Sequence, residues 1–294
     1  MTLPSTLHRA LAPAAQRLLD AFRFVLVAPS HAGNIGSVVR AMATMGLGDL
    51  VVVNPREADF SNHPQARALA SGARELLARV RCAGSLQEAV ADCQLVVAVS
   101  ASPREFGPPP NTPVEIAGLA LDQLEAGMVG KVAMVFGTER TGLLIGEMAL
   151  CQQLVSIPAD PDYSSLNLSQ AAQIIAFSLR QQIMLAQAGQ PAGSEVPAGE
   201  GPAGDASAGE ASAGALAHEA YADHAAIERL YVHLEQALVA IDYLDPAEPK
   251  KLMARMRRLL SRTRLEGSEV DLLRGVCKQM EKVAAKAAVA GRHV

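Results

Sequence analysis

The stretch 131-KVAMVFGTERTGL-143 decides the fold. Its apolar run, Val132 to Phe136, breaks at Gly137 into the polar Thr138, Glu139 and Arg140. An apolar run this short with no polar alternation reads as a strand covered on both faces, the pattern of a parallel sheet flanked by helices. The chain repeats it as FRFVLVAP at 22–29, LVVVNP at 50–55, LVVAVSA at 95–101 and LVSIP at 154–158. Helical patterns such as SVVRAMATMG, SLQEAVADC and VEIAGLALDQLEAG lie between these runs. The alternation predicts an α/β body. Ligands of such sheets gather beyond the carboxyl ends of the strands, which gives Glu139 a favourable address. The alternative is that Glu139 only caps the next helix.

With 294 residues, 50% hydrophobic and 19% charged, the chain can bury a sizeable core, and a wholly disordered, collagen-like or disulfide-scaffold protein is excluded. No window approaches 18 consecutive apolar residues, and Arg17, Asp20 and Arg23 interrupt the apolar start. Neither a secretory signal nor a membrane span is expected. Cys82, Cys93, Cys151 and Cys277 form no CxxC pair, and the seven histidines show no ligand-like spacing beside them. Reduced thiols, a cytoplasmic address and no metal site follow as expectations.

Residues 188–215 hold 9 Ala, 7 Gly, 3 Pro and 3 Ser, with four acids and no base, and from Pro197 they run in an imperfect five-residue repeat (PAGEG, PAGDA, SAGEA, SAGAL). Such a segment cannot build a core and reads as a flexible tether spanning roughly 30 Å. The chain is therefore expected to divide into an N-terminal extension (1–21), an α/β body (22–187), a linker (188–217) and a small all-α tail (218–294). Residues 225–294 carry 13 Lys/Arg against 9 Asp/Glu, leaving 13 against 21 elsewhere, so the tail is the part suited to a polyanion.

Within the tail, Ile227, Leu230, Tyr231, Leu234, Leu238, Ile241 and Leu244 follow one helical face, which Asp245-Pro246 would end. A second helix is expected from Pro249, and a third after Ser268 with Val270, Leu273, Val276, Cys277 and Met280 inward. The second helix contains KKLMARMRRLLSRTR, 250–264, with seven cations and no acid. Lys250, Lys251, Arg255, Arg257, Arg258, Arg262 and Arg264 suit phosphate contacts; the competing readings are a solvated face or packing against the body. Few aromatic residues argue against base stacking as the main device there.

Two more motifs accompany Glu139. In SHAGNIGSVVRAMATMG, directly after the first strand, Gly33 and Gly36 would let the loop approach a ligand, Asn34 sits at the turn, and Arg40 projects from the helix that follows. Strand, glycines and helix start together suit an anion, although a purely structural turn explains them as well. In IPADPDYSSLNLSQAAQIIAF, Ser164, Ser165 and Asn167 could bond a ligand or cap the long helix.

Taken in order, N-x-G-x-x-x-R, F-G-x-E-x-x-G-L and S-S-L-N-L-S before a helix resemble the three motifs of the SpoU class of SPOUT RNA ribose 2′-O-methyltransferases. The resemblance covers 22–187. HLEQALVAIDYLDPAEPKKLMARMRRLL and the later LLRG are similar to the tail of the subgroup that methylates nucleotide 32 in the tRNA anticodon loop. The resemblance implies a C-terminal trefoil knot, an exception to the unknotted rule. It also implies a homodimer, tRNA as substrate and S-adenosylmethionine held by three loops: Ser100, Ala101 and Ser102; Gly137 and Ile157; and Ser164, Ser165 and Leu166. Arg40 matches the family's essential arginine. A guanidinium is a poor base, so the implied role is to hold the adjacent phosphate and stabilise a developing alkoxide. Asn34, Glu139, Ser165 and Asn167 would orient arginine, cofactor and ribose. Thr138 departs from the Asn that many members place before the Glu, which puts the role of that position in doubt.

Four rival readings remain. The same 2′-O-methylation could act at another RNA site, in rRNA or at another tRNA position. A non-catalytic RNA-binding factor on the same fold would need only the basic tail and the sheet. A nucleotide-dependent oxidoreductase would need an acid after the second strand, where Asn54-Pro55 stands. A Ser-His-Asp hydrolase would need GxSxG around Ser100 instead of AVSAS.

Overall fold

The computed structural model describes residues 11–101, 109–189 and 219–290. In chain order the body comprises α1 (Pro13–Asp20), β1 (Phe22–Val27), α2 (Ala32–Met45), β2 (Asp49–Val53), α3 (Pro64–Ala70), α4 (Arg74–Ala78), β3 (Arg81–Ala83), α5 (Leu86–Val90) and β4 (Leu95–Val99). It continues with β5 (Pro110–Asn111), α6 (Pro113–Glu125), β6 (Val132–Phe136), α7 (Ile145–Met148), β7 (Gln153–Val155) and α8 (Leu168–Gly189). The seven strands form one sheet in the order β3-β2-β1-β6-β4-β7-β5, and every pairing is parallel. All five expected strands are present. β3 and β5 were not expected from the sequence; Arg81–Ala83 and Pro110–Asn111 contain no apolar run to detect.

Both faces of the sheet are covered, as the unbroken apolar runs required. Phe22, Phe24 and Leu26 of β1 point into one core with α1, α2, α6 and α8, and Val25 and Val27 point into a second with α5 and α7. Arg23 lies among the second set at 3% exposure. Its guanidinium donates through Nη1 and Nη2 to Asp92 at 2.5 and 3.1 Å, through Nε to Asp49 at 3.0 Å and to the Ala89 carbonyl at 2.8 Å. Burial alone would push Arg23 down, but its carboxylate partners outweigh this and raise it. The charge is thus tolerable because it is saturated with acceptors.

Two sequence expectations about the body are corrected. From Leu11 onward the N-terminal segment is not an extension: Ala15 and Leu19 of α1 are buried in the first core. Gly33 and Gly36 do not open a loop to a ligand either. Both lie inside α2 and face α3, where a methyl on Gly36 would sit 2.2 Å from the Ala66 carbonyl oxygen and one on Gly33 2.9 Å from the Gln65 side chain. They are glycines because two helices approach closely there.

The tail is helical: α9 (His224–Ala240), α10 (Leu252–Thr263) and α11 (Gly267–Ala290). α9 ends four residues earlier than its apolar spacing suggested. Asp242 turns left-handed at φ 58°, and the Tyr243 and Leu244 amides both donate to the Leu238 carbonyl. This terminates the helix before Asp245-Pro246 and folds Leu244 back into burial. α10 begins at Leu252 and not at Pro249, because Lys250 is left-handed at φ 48°. On α11 Val270 and Cys277 are buried as expected, but Val276 is 52% exposed. The linker from Gln190 and the tail residue His218 lie outside the described residues.

Gly36→Ala should destabilise the protein by about 1–3 kcal/mol, since the added methyl meets backbone that cannot yield. Gly118→Ala, inside α6 with nothing within 4 Å of its new methyl, should stabilise by roughly 0.5–1 kcal/mol. Urea unfolding of the two variants beside the parent checks both signs.

Candidate functional site

Strand order places the carboxyl ends of β1, β6, β4 and β7 side by side. The loops leaving these strands carry the residues singled out in the sequence. Gly137 follows β6; a methyl there would lie 2.1 Å from the Gly142 carbonyl carbon, so only glycine lets the 138–142 turn fold back on the strand. The turn closes through Gly142 N–H donating to the Thr138 carbonyl at 3.0 Å, with Gly142 at φ 63°. Thr138 serves the same turn. Its Oγ1 lies 2.8 Å from that of Thr141 and accepts from the Thr141 amide at 3.2 Å.

This turn aims Glu139 back at β1. Its Oε2 accepts from the Ser30 amide at 3.0 Å and the Ser30 hydroxyl at 2.7 Å, and its Oε1 accepts from Asn34 Nδ2 at 2.7 Å. Asn34 Oδ1 in turn accepts from Asn167 Nδ2 at 3.3 Å. Three segments far apart in the chain therefore meet at one carboxylate and one amide. Partial burial pushes Glu139 up, but the bonds from Ser30 and Asn34 outweigh it and hold the carboxyl below its ordinary range. It is not the cap of the following helix; Glu147 accepts from the Leu144 amide at 2.7 Å there.

Asn167 satisfies both readings of its motif. Its Oδ1 accepts from the Ser169 amide at 2.9 Å and the Ser169 hydroxyl at 2.7 Å at the start of α8, while its Nδ2 reaches Asn34. Arg40 stands exposed on α2. Ser30 is a site residue that the sequence reading did not single out. Its signal was present: it is the first residue of SHAGNIGSVVR, three residues beyond the end of β1.

The positions expected to hold a cofactor lie at three adjacent strand ends. Ser100 follows β4 and its amide donates to the Val155 carbonyl at 3.1 Å; Ala101 is next to it and exposed, Gly137 follows β6, and half-buried Ile157 follows β7. Ser164, Ser165 and Leu166 are exposed in the loop before α8, and Ser102 lies outside the described residues. Backbone groups at strand ends beside apolar Ile157 and Leu166 fit a ligand carrying an aromatic base with polar edges. Among the described residues no group of three or more His, Cys, Asp or Glu could hold a metal ion, and no helix is long and apolar enough to cross a membrane.

In the tail the seven cations do not share one role. Arg257 Nη2 donates to Glu228 Oε2 at 2.8 Å, with Nη1 bonding Oε1 of the same carboxylate, and its guanidinium lies 4.3 Å from the centre of the Tyr231 ring. It is a packing residue, which corrects the expectation that all seven charges of the run stand unopposed. Arg255, Arg258 and Arg262 are exposed on α10.

A parallel α/β sheet with three motif loops joined at its carboxyl end, and a basic helical tail behind a linker, defines the class. A family model described as the SpoU rRNA Methylase family matches residues 21–177, and the C-terminal domain of the tRNA methyltransferase TrmJ matches residues 225–289. The chain belongs to the SpoU methylase family. It is 39% identical over 267 residues to the tRNA (cytidine/uridine/adenosine-2′-O-)-methyltransferase TrmJ of Pseudomonas aeruginosa (strain UCBPP-PA14), covering 91% of this chain and 96% of the relative. It is 39% identical over 266 residues to the tRNA (cytidine/uridine-2′-O-)-methyltransferase TrmJ of Pectobacterium atrosepticum, covering 90% and 98%. The crystal structure of TrmJ from Z. mobilis ZM4 superposes with a TM-score of 0.68 at 30% identity, over 88% of this chain and 98% of that one.

Asn34→Asp sets a second carboxylate 2.7 Å from Glu139 and should raise the pair's apparent pKa. At pH 8 the variant should lose methyl transfer by at least about tenfold more than Asn34→Ala does. Its deficit should shrink as pH falls and one carboxyl takes a proton. A methyl-incorporation profile of both variants against pH checks the sign.

Proposed function

We propose that this protein transfers a methyl group from S-adenosylmethionine to a ribose 2′-hydroxyl of tRNA, at nucleotide 32 of the anticodon loop. The observation that carries the reading is the Glu139–Asn34–Asn167 chain, which joins the three family motifs at the strand ends. The 39% identity to tRNA 2′-O-methyltransferases over nine-tenths of the chain supports the substrate class. A trefoil knot formed by the segment leading into α8 and a homodimer of the body belong to the same proposal.

When bound, S-adenosylmethionine supplies a methyl group on a sulfonium. The residues after β4, β6 and β7, namely Ser100, Ala101, Ser102, Gly137, Ile157, Ser164, Ser165 and Leu166, would hold it, largely through backbone groups. The chain must align the 2′-oxygen in line with that methyl, with S-adenosylhomocysteine as the leaving group, and disperse the charge that develops as the hydroxyl proton passes to solvent water. Arg40 does this as a fixed cation that grips the neighbouring phosphate and faces the developing alkoxide. Glu139 is no base for that proton. Both its oxygens already accept bonds from Ser30 and Asn34, and the same bonds favour its ionised form. Its role is to orient Asn34, and through it Asn167, around the ribose.

Arg40→Ala should abolish transfer while S-adenosylhomocysteine still binds, and Arg40→Lys should not restore it, since an ammonium lacks the planar fork. Calorimetry beside a tritiated-methyl assay separates the two functions, and parallel loss of both would make Arg40 structural. Nucleoside mass spectrometry of the tRNA product locates the methyl group; finding it on a base would overturn the reading.

Replacing Arg255, Arg258 and Arg262 together by Glu should weaken tRNA binding and flatten its salt dependence, by roughly 0.7–0.9 in log–log slope for each phosphate that is no longer neutralised. Arg257→Glu belongs to a different class, because it breaks the pair with Glu228 and should lower stability. Affinity across a salt series, beside thermal unfolding, distinguishes them.

A further inference from the structure

The tail docks at the end of the sheet opposite to the motif loops. The Tyr221 amide donates to the Met128 carbonyl at 2.9 Å, the His224 amide to Cys93 at 2.9 Å and the Ala225 amide to Ala91 at 3.1 Å, all next to the amino ends of β4 and β6. Between the docked tail and the body lies a cavity of about 880 Å³, within the size of ordinary ligand sites. A five-residue strand spans about 17 Å, so this cavity is separate from the strand-end loops where the cofactor and target ribose are placed.

Its walls combine three chemistries. Five cations line it, Lys251, Arg257, Arg258, Arg262 and Arg264, against the single carboxylate of Glu228, which Arg257 already engages. In the wall lies His224 at 2% exposure, and neither ring nitrogen has a hydrogen-bond partner; the Gln123 side-chain oxygen is likewise buried and unbonded. The remaining lining is largely apolar, Leu95 and Met148 among it. Burial, reinforced by Arg257 and opposed by Glu228 and Asp223, keeps the imidazole neutral, hence one donor and one acceptor. Unbonded buried polar groups are costly, and native structures rarely keep them without a purpose.

An inorganic anion would satisfy the cations and leave the cavity empty. An amphipathic anion such as a fatty acid would fill it and leave His224 and Gln123 unpaired. A nucleotide satisfies all three chemistries, with a phosphate for the cations, a flat apolar ring for the lining, and edge donors and acceptors for His224 and Gln123. We propose that this cavity binds one nucleotide unit, phosphate at the α10 rim and base against His224 and Gln123. It is a second recognition site for an RNA strand, remote from the methylated ribose. This deepens the reading that the tail engages tRNA and rests on it.

The test uses the full chain saturated with S-adenosylhomocysteine, so that the cofactor loops are occupied. Ala149 is exposed at the end of α7 and lines the cavity, so Ala149→Trp fills the space without removing a cation. Gln123→Leu removes a base partner at nearly constant volume. Both should weaken tRNA binding by roughly tenfold, within what one bound nucleotide contributes; Gln123→Leu should leave the salt slope unchanged, while Ala149→Trp, which excludes the nucleotide together with its phosphate, should flatten it by roughly 0.7–0.9. Gln123→Leu should also leave unfolding unchanged or raise the midpoint, since it deletes an unpaired buried oxygen. Cytidine 5′-monophosphate, titrated by calorimetry, should bind the parent and not Ala149→Trp. Mononucleotide binding lost in Ala149→Trp, with tRNA affinity unchanged, would overturn the RNA-strand proposal and assign the same site to a free nucleotide. If both variants hold tRNA and mononucleotide as the parent does, the proposal is overturned, while a flattened slope in the triple Arg255/Arg258/Arg262 variant would still uphold tRNA contact by the tail.

Discussion

The ionised Glu139 carboxylate is the constraint on which the site depends. It accepts from three donors on the segment after β1, and through Asn34 it reaches the residue that opens α8. A partly buried charge is tolerable only while its donors are in place, so each loop holds the others. The β1 end is itself strained to serve this arrangement. Ala28 is left-handed at φ 45°, a costly conformation for a residue with a side chain, and its amide is anchored to the Val53 carbonyl at 2.8 Å. That turn sends the chain away from the strand so that Ser30 meets Glu139. The parallel sheet supplies the rest, because adjacent carboxyl ends at β1, β6, β4 and β7 are what bring these loops within hydrogen-bond reach.

What could be read from the sequence was what repeats. Continuous apolar runs mark five of the seven strands because burial on both faces leaves no alternation to obscure them. Arg81–Ala83 and Pro110–Asn111, which contain no apolar run, exist through tertiary pairing alone and leave no local trace. Chemistry-bearing residue types were also legible: Asn34, Glu139 and Asn167 were singled out from their motifs, whereas the hydrogen bonds that join them became visible only in the fold. Glycines were ambiguous. Gly33 and Gly36 suited a ligand loop as well as a helix crossing, and only the position of Ala66 decides between them. Arg257 was illegible for the same reason, since its partner Glu228 lies 29 residues away on another helix.

The tail has a small core of its own, and α10 contributes no fully buried residue to it. That helix is held instead by Arg257 against Glu228 and over Tyr231, and by the Tyr231 hydroxyl donating to the Arg257 carbonyl at 3.3 Å. Half-buried ion pairs add little net stability but fix geometry, which is what a helix displaying several exposed cations needs. One arginine of the run is thus committed to orienting the helix, while Arg255, Arg258 and Arg262 remain exposed along it.

Docking contacts of its own, and not the linker, set the place of the tail. The tail is positioned by the amides of Tyr221, His224 and Ala225 on carbonyls at Met128, Cys93 and Ala91, so its place does not depend on residues 190–217. A segment asked only to reach from Gly189 to the docking point can lengthen at little cost, since doubling a closed loop adds about 0.6 kcal/mol of entropy. A five-residue Ala/Gly/Pro repeat with one acid in most copies and no base contains no apolar run that could compete with the docked contacts. The two ends of one parallel sheet are therefore put to separate uses, the carboxyl end to join the motif loops and the amino end to set the tail.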